Sequence, residues 1–533
     1  MTLPNKKNMS AGIDNSKRNT YWAVATLFIL VKLCLHFFTN TRYELHRDEM
    51  LYFNMGEHPD FGYASTPPFM GILAFVVQQL FGYSVFGIRF FPALTGALSV
   101  FLLAKTVEAL KGGIWGLIIA APAFIFSGGF LIFDTLFTPN AFEQCFWLLV
   151  TYLFLKMTIT LNPACWIWIG LISGLAFLNK YSIVFLMGGF LPALWFSRHR
   201  ALLKSGYFMV AIALGALIAA PNIWWQYEHG WPVVHHMQEL EKTQLVNVRY
   251  ADFFADLFTL TALWTFVWLV GLVALLVSKT ARQHRYLGIG TLLTMALFLF
   301  THGKPYYLLG LIPFLFAFGG QALERYCTGN LAWIGYGVLI ISIAYSVCAL
   351  PFALPVLRFD KLDDYSRGAG KYMVYPFARW EDGKKYAVSQ VYADMTGWKE
   401  LAGLVATAYA RLSKTEQQQC TIYGERNYGY AGAVHFYGKA YGLPGCITLL
   451  DSYTLWAPDS IPPGPLIYIN TKRGGIADLF DVVTMIGQVG DKHFREQGLT
   501  VFVCRQPKTD IQALYHDKAA AEKNLYRRIP VTR

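Results

Sequence analysis

Residues 21–52 read YWAVATLFILVKLCLHFFTNTRYELHRDEMLY. The first part, residues 21–38, is an apolar run long enough to cross a bilayer as a helix. Just behind it, Glu44, His46, Arg47, Asp48 and Glu49 place five ionisable side chains within six positions. Charges this close to a membrane are costly unless they sit in water or in a site. The run therefore sets the fold class, and the charges show where to look for function.

Working outward, the whole chain fits that class. Of 533 residues, 55% are hydrophobic and 15% charged, against roughly 25% charged in soluble domains. Mean hydropathy is +0.37. Apolar runs recur through the first 350 positions, the mark of a polytopic helical membrane protein. Eleven spans are expected, at 21–38, 86–105, 113–129, 135–155, 165–178, 181–196, 207–220, 253–277, 287–300, 306–323 and 331–350. Residues 68–80 are apolar but short and read as an interfacial helix. Residues 222–252, rich in Trp and His, read as a long functional loop.

The net charge of +12 does not imply nucleic acid, because the surplus sorts by loop. With the basic tail 1–20 (Lys6, Lys7, Lys17, Arg18) in the cytoplasm, the even-numbered loops carry Lys105, Lys111, Lys156, Arg198, Arg200, Lys204, Lys279, Arg282, Arg285 and Arg325. The opposite face collects Asp48, Glu49, Asp134, Lys180, His229, His235, His236, His302 and Lys304. That asymmetry predicts a site opening at the outer leaflet of the cell's inner (plasma) membrane. The first span lacks a small-residue cleavage signal and reads as uncleaved.

Three regions follow: a cytoplasmic tail 1–20, a transmembrane catalytic part 21–355, and an extracytoplasmic α/β domain 356–533. The last is predicted from strands at 386–392, 420–423, 466–470 and 499–504 and helices at 396–412, 430–441 and 476–486. Eight cysteines form no CxxC. Cys34, Cys145, Cys165 and Cys348 lie in apolar runs, whereas two of Cys420, Cys446 and Cys504 are close enough in character to form a disulfide outside the cytoplasm.

Asp48 and Glu49 are adjacent, so their side chains point different ways. One is expected to face substrate as a general base while the other pairs with Arg47. Tyr63, in the turn 62–68, is a candidate wall residue. Asp134 reads either as a helix N-cap or as a second site acid. Glu143, deeper in the same span, competes for that role and should find a lysine from another span. Lys180 beside Tyr181, and Lys304 beside Tyr306 and Tyr307, suit either snorkelling or capture of a lipid phosphate. His229, His235 and His236 lack a zinc-ligand spacing, and no metal site is expected there. A P-loop and GxSxG are absent, which removes nucleotide hydrolysis and serine esterase chemistry.

In order along the chain, Arg47-Asp48-Glu49 with Tyr52, Gly62-Tyr63 with Pro67-Pro68, Asn179-Lys180-Tyr181 and Gly303-Lys304-Pro305-Tyr306-Tyr307 resemble the bacterial family-39/83-type glycosyltransferases of the GT-C membrane superfamily. These are similar to protein O-mannosyltransferases and to the lipid A 4-amino-4-deoxy-L-arabinose transferase. The segment from Glu425 to Ala433 resembles part of the same subgroup's tail domain. The resemblance implies an all-α polytopic GT-C bundle with a soluble α/β domain behind it. It implies transfer from a polyprenyl-phosphate-linked sugar donor to a lipid, glycan or protein acceptor, with inversion and with no nucleotide. Asp48 would be the base, with Glu49 and Asp134 as further catalytic acids. Arg47, Tyr63, Glu143, Lys180, Tyr181, Lys304, Tyr306 and Tyr307 would bind substrate. Some relatives use a divalent cation, which Asp48 and Glu49 would ligate. A transporter or flippase, or a polysaccharide polymerase or ligase, is the alternative reading.

Overall fold

The computed structural model describes residues 15–243, 250–279, 281–327, 329–330, 332–369, 380, 384–386 and 388–526. Lys6 and Lys7 of the expected tail, residues 244–249 of the expected loop and residue 387 of the expected first strand lie outside them. The molecule is a multi-pass helical membrane protein with a small sheet near its C-terminus.

In chain order the helices of the first part are α1 (Asn15–Phe37), α2 (Arg47–Asn54), α3 (Phe69–Phe81), α4 (Val85–Ala109), α5 (Ile114–Ile125), α6 (Gly128–Phe133), α7 (Pro139–Thr160) and α8 (Cys165–Asn179). Then come α9 (Ile183–Trp195), α10 (Gly206–Glu228), α11 (Pro232–Thr243), α12 (Tyr250–Thr261), α13 (Thr265–Val277), α14 (Arg285–Phe300), α15 (Ile312–Leu323) and α16 (Ala332–Ala349). Among the described residues, six helical stretches are long and apolar enough to cross a membrane: Asn15–Phe37, Val85–Ala109, Pro139–Thr160, Gly206–Glu228, Phe253–Val277 and Ala332–Phe352. The other apolar runs fold into shorter helices such as α5, α8 and α9, below the roughly 20 residues that a bilayer asks for. The bundle closes through pairs such as α8 with α10, α9 with α14 and α13 with α15. In the last pair Gly271 and Gly319 are indispensable, since a Cβ on either would run into the backbone carbonyl of Leu315 or Val267.

Several expected boundaries move. Residues 222–252 are not one loop. Helix α10 continues through Pro221 to Glu228, and α11 follows after a short turn. A proline inside a membrane helix is tolerated because its neighbours re-satisfy the freed backbone groups. Asp134 is not an N-cap. It closes the C-terminal end of α6, and the next helix starts at Pro139, where a missing N–H costs nothing.

After α17 (Phe359–Ala369) the chain enters its sheet region. The remaining helices are α18 (Gln390–Ala393), α19 (Trp398–Ala410), α20 (Lys414–Gln418), α21 (Tyr428–Tyr437), α22 (Tyr453–Trp456), α23 (Ile476–Leu479) and α24 (Ile511–Asn524). The strands are β1 (Thr421–Gly424), β2 (Cys446–Ile447), β3 (Leu466–Asn470), β4 (Phe480–Gln488) and β5 (Thr500–Pro507), in the order β2-β1-β3-β5-β4. The first three strands pair in parallel, and β3-β5-β4 are antiparallel.

Three expectations fail here. The expected strand at 386–392 gives way to the short helix α18, started by the Ser389 hydroxyl accepting from the Tyr392 amide. The expected helix 476–486 is helical only to Leu479. Its β-branched run Val482-Val483-Thr484 pairs with β5 instead. All eight cysteines are free, so no disulfide staples the sheet.

What fixes the sheet to the bundle is a shared core. Leu45, Met50 and Phe53 from the first outer segment are buried in one cluster with Trp398, Ala431, Val434 and Ile467.

Candidate functional site

Helix α2 begins at the opening charge cluster, and its start is unusually well determined. His46 is the N-cap, with Nδ1 accepting from the Asp48 amide at 3.1 Å. Glu49 returns the favour by accepting from the His46 amide at 2.8 Å, completing a capping box. The other ring nitrogen, Nε2, faces the buried Asp394 Oδ2 at 3.6 Å. His46 is therefore a structural part of the site and not an ordinary loop residue.

Asp48 projects from this cap with its side chain 32% exposed. Tyr428 donates its hydroxyl to Asp48 Oδ1 at 2.6 Å. Arg47 Nε lies 3.5 Å from the same oxygen and 3.8 Å from Asp394 Oδ2, and its guanidinium stands over the Tyr428 ring. Arg495 donates to Asp394 Oδ2 at 2.7 Å. Burial pushes the Asp48 carboxyl up, but His46, Arg47, the Tyr428 hydroxyl and Arg495 outweigh it and hold the group below the usual aspartate range. Asp48 is therefore ionised at neutral pH.

Glu49 points the other way, and its partner is Arg89 of α4, not Arg47. Both side chains are fully buried, with Arg89 Nη2 to Glu49 Oε2 at 2.6 Å and Nε to Oε1 at 3.0 Å. The same guanidinium donates to the carbonyls of Asn40 (2.5 Å), Glu44 (2.7 Å) and Tyr43 (3.3 Å). Glu49 Oε1 also accepts from the Phe137 amide at 3.0 Å. Glu49 is saturated, so it does not fit a divalent cation beside Asp48. Among the described residues no three His, Cys, Asp or Glu side chains converge on a point where a metal would sit.

A second cluster is cationic and aromatic. Lys180 donates to Glu143 Oε2 at 2.7 Å and to Asn140 Oδ1 at 2.8 Å. The expected lysine partner of Glu143 is therefore Lys180, and the Ser182 hydroxyl donates to the other Glu143 oxygen. The Lys180 ammonium lies 4.2 Å from the Tyr307 ring centre and 5.5 Å from that of Tyr306. The Lys304 ammonium lies 6.0 Å from the Tyr306 ring centre. Tyr52 lies one turn beyond Asp48 in α2, and its phenol is raised well above the ordinary range by burial, then by the charges of Asp48, Asp451 and Tyr307.

Other predicted residues sit elsewhere. Asp134 is buried against Lys32 of α1 at 2.8 Å, and Lys32 also donates to the Phe130 carbonyl. Tyr63 is fully buried, its hydroxyl donating to the Met55 and His58 carbonyls. Tyr181 donates to Asn222 Oδ1 at 2.9 Å and accepts from Gln226, tying α10 to the start of α9. His229 stacks on Trp225, and His235 and His236 lie on α11.

The sequence reading missed Lys32, Arg89, Asp394, Tyr428 and Arg495. For Lys32 and Arg89 a signal existed: each is a lone charge inside an apolar run.

Residues 65–225 match the family model described as dolichyl-phosphate-mannose-protein mannosyltransferase. The chain is 26% identical over 217 residues to the lipid A galacturonosyltransferase RgtD of Rhizobium johnstonii, a match over 40% of this chain and 45% of that relative's length. The fold is similar to that of ArnT from Cupriavidus metallidurans bound to undecaprenyl phosphate, with a TM-score of 0.63 and 16% identity over 91% of this chain and 98% of that one. The same protein in its apo state gives a TM-score of 0.59 at 15% identity. Fold, family match and motif order together support a membrane glycosyltransferase of the GT-C type.

Proposed function

We propose that this membrane glycosyltransferase of the GT-C type moves a sugar from a polyprenyl-phosphate donor to an acceptor at the outer face of the plasma membrane. About eleven membrane crossings and an extracytoplasmic domain over 356–533 go with that reading, since an odd number of crossings puts the sheet on the same side as Asp48. The reading is carried by Asp48, held by Tyr428 and Arg47 at the start of α2, in a chain whose residues 65–225 match the mannosyltransferase family model and which gathers Lys180 on the rings of Tyr306 and Tyr307.

In the proposed step an acceptor hydroxyl attacks the anomeric carbon opposite the phosphate. Its proton passes to Asp48 Oδ2, which lies 3.8 Å from His46 Nδ1, because Oδ1 accepts from Tyr428. The bond between the anomeric carbon and the phosphate oxygen breaks, and its electron pair leaves on the polyprenyl phosphate. Lys180, Lys304, Tyr306 and Tyr307 supply positive charge and hydrogen bonds to that leaving group. In-line displacement inverts the anomeric centre. Glu143 serves as the second acidic residue of the site by aiming Lys180, and Asp134 braces α1 against α6 instead. Undecaprenyl phosphate, bound in the ArnT structure, is the carrier class that suits this cluster. A lipid A acceptor is the first to try, given the galacturonosyltransferase relative.

The test supplies membranes with radiolabelled galacturonate, aminoarabinose or mannose on undecaprenyl phosphate and compares wild type with Asp48→Asn. Transfer of at least one label by wild type and its loss in the variant are expected. Transfer at the wild-type rate by Asp48→Asn removes Asp48 as base. Movement of the lipid between leaflets with none of the donors consumed would favour a transporter.

A further inference from the structure

The tail segment Asn427-Tyr428-Gly429-Tyr430-Ala431-Gly432 lies far along the chain from the base, yet it meets it directly through Tyr428. Asn427 caps α21, its side-chain oxygen accepting from the Gly429 amide at 2.8 Å, and so fixes Tyr428 as the first helical residue. Two glycines then let α21 lie against α2. A Cβ on Gly429 would stand 3.1 Å from Arg47 Cβ, and one on Gly432 would stand 2.7 Å from Met50 Cβ. Tyr430 points back into its own region, donating to Glu496 at 2.8 Å, while Tyr428 crosses to Asp48. Asn427, Gly429 and Gly432 thus together bring one phenol to one carboxylate.

We infer that Tyr428 is a positioning residue for the Asp48 base, so that the sheet region completes the active site of the membrane part. This rests on the reading of Asp48 as base. The hydroxyl locks Oδ1, leaves the other oxygen as the proton acceptor and fixes the carboxylate rotamer under the guanidinium of Arg47. The groups facing this carboxylate are His46, Arg47 and Tyr52 from α2, Tyr428 from α21, and Arg495, with Asp394 and Asp451 behind them. Tyr428 stabilises the charged form among them, so its removal must move the carboxyl upward.

The experiment compares wild type, Tyr428→Phe, Gly432→Ala and Asp48→Asn in whole membranes, using the radiolabelled undecaprenyl-phosphate sugar that wild type consumes. Tyr428→Phe is expected to lower kcat by about 10- to 100-fold, the loss of one charge-assisted hydrogen bond, with donor KM unchanged. Its acid limb of kcat against pH should shift to higher pH, because the base now protonates sooner. Gly432→Ala keeps the hydroxyl but displaces α21 slightly, and should shift the limb the same way by less. A fall in kcat with an unmoved acid limb makes Tyr428 merely structural and overturns the inference. So does wild-type behaviour of Tyr428→Phe, and if that variant does not fold, an unmoved limb in Gly432→Ala overturns it too. Failure of the base reading shows separately, as activity in Asp48→Asn.

Discussion

Arg89→Met should be the most damaging single change in the first outer segment, and Arg89→Met/Glu49→Leu should repair part of it. Arg89 is fully buried and donates to both oxygens of Glu49 and to the carbonyls of Asn40, Tyr43 and Glu44. Methionine fills the volume but leaves a buried carboxylate unpaired, a loss of about 3–5 kcal/mol. The three carbonyls lose their donor in both variants, so they cancel in the comparison. What separates the two is the stranded charge on one side. On the other is the loss of Glu49's bonds to the amides of His46 and Phe137, at about 1 kcal/mol each. The double variant should therefore be more stable than Arg89→Met by about 1–3 kcal/mol. Unfolding of the purified protein in detergent, followed by denaturant titration, measures the difference. Equal stability of single and double variants, or an Arg89→Met within 1 kcal/mol of wild type, would refute the account of this pair as the anchor of the segment.

Other expectations follow from the same geometry. Lys32→Met should destabilise the protein by about 3–5 kcal/mol, with Lys32→Met/Asp134→Leu closer to wild type, because the pair is buried and a lone Asp134 is stranded; the same titration reads it. Lys180→Met should cut transfer strongly, by about 2–4 kcal/mol of transition-state stabilisation if it meets the leaving phosphate, while Tyr63→Phe, whose hydroxyl only bonds backbone, should leave kcat alone and cost about 1 kcal/mol of stability. Because the Asp48 carboxyl is held below the usual aspartate range, its stabilised charge is present at neutral pH and lost only as pH falls through that lowered value. Wild-type kcat should therefore show no acid limb from Asp48 above about pH 4, and a limb near pH 6 would contradict the described surroundings.

How far the sequence could be read depended on the range of the interaction concerned. Apolar runs and the sorting of lysines by loop are local signals, and they led to a membrane bundle with charge gathered near Asp48. The ordered motifs also placed Lys180, Tyr306 and Tyr307 in one cluster. Pairing across the chain was another matter. Glu49 lies beside Arg47 in sequence, yet the orientation of α2 turns it inward to Arg89, forty residues away. Asp134 looked like a helix start because it stands just before the apolar run 135–155, whereas the next helix begins only at Pro139 and the acid is buried on Lys32. Strand β4 was hidden by its apolar spacing, which a helix would also satisfy, and only its pairing with β5 decides between them.

The hydrogen bond from Tyr428 to Asp48 also sets a clock. The two residues are 380 positions apart, so a ribosome adding about 5–20 residues per second makes the aspartate roughly 20–75 s before the tyrosine that holds it. During that interval α2 has no α21 to pack against, and the carboxylate has no fixed rotamer. A nascent chain therefore carries the cluster from Lys180 to Tyr307 while Asp48 is still loose. On the proposed function, donor lipid is met early, but turnover waits for the last fifth of the polypeptide.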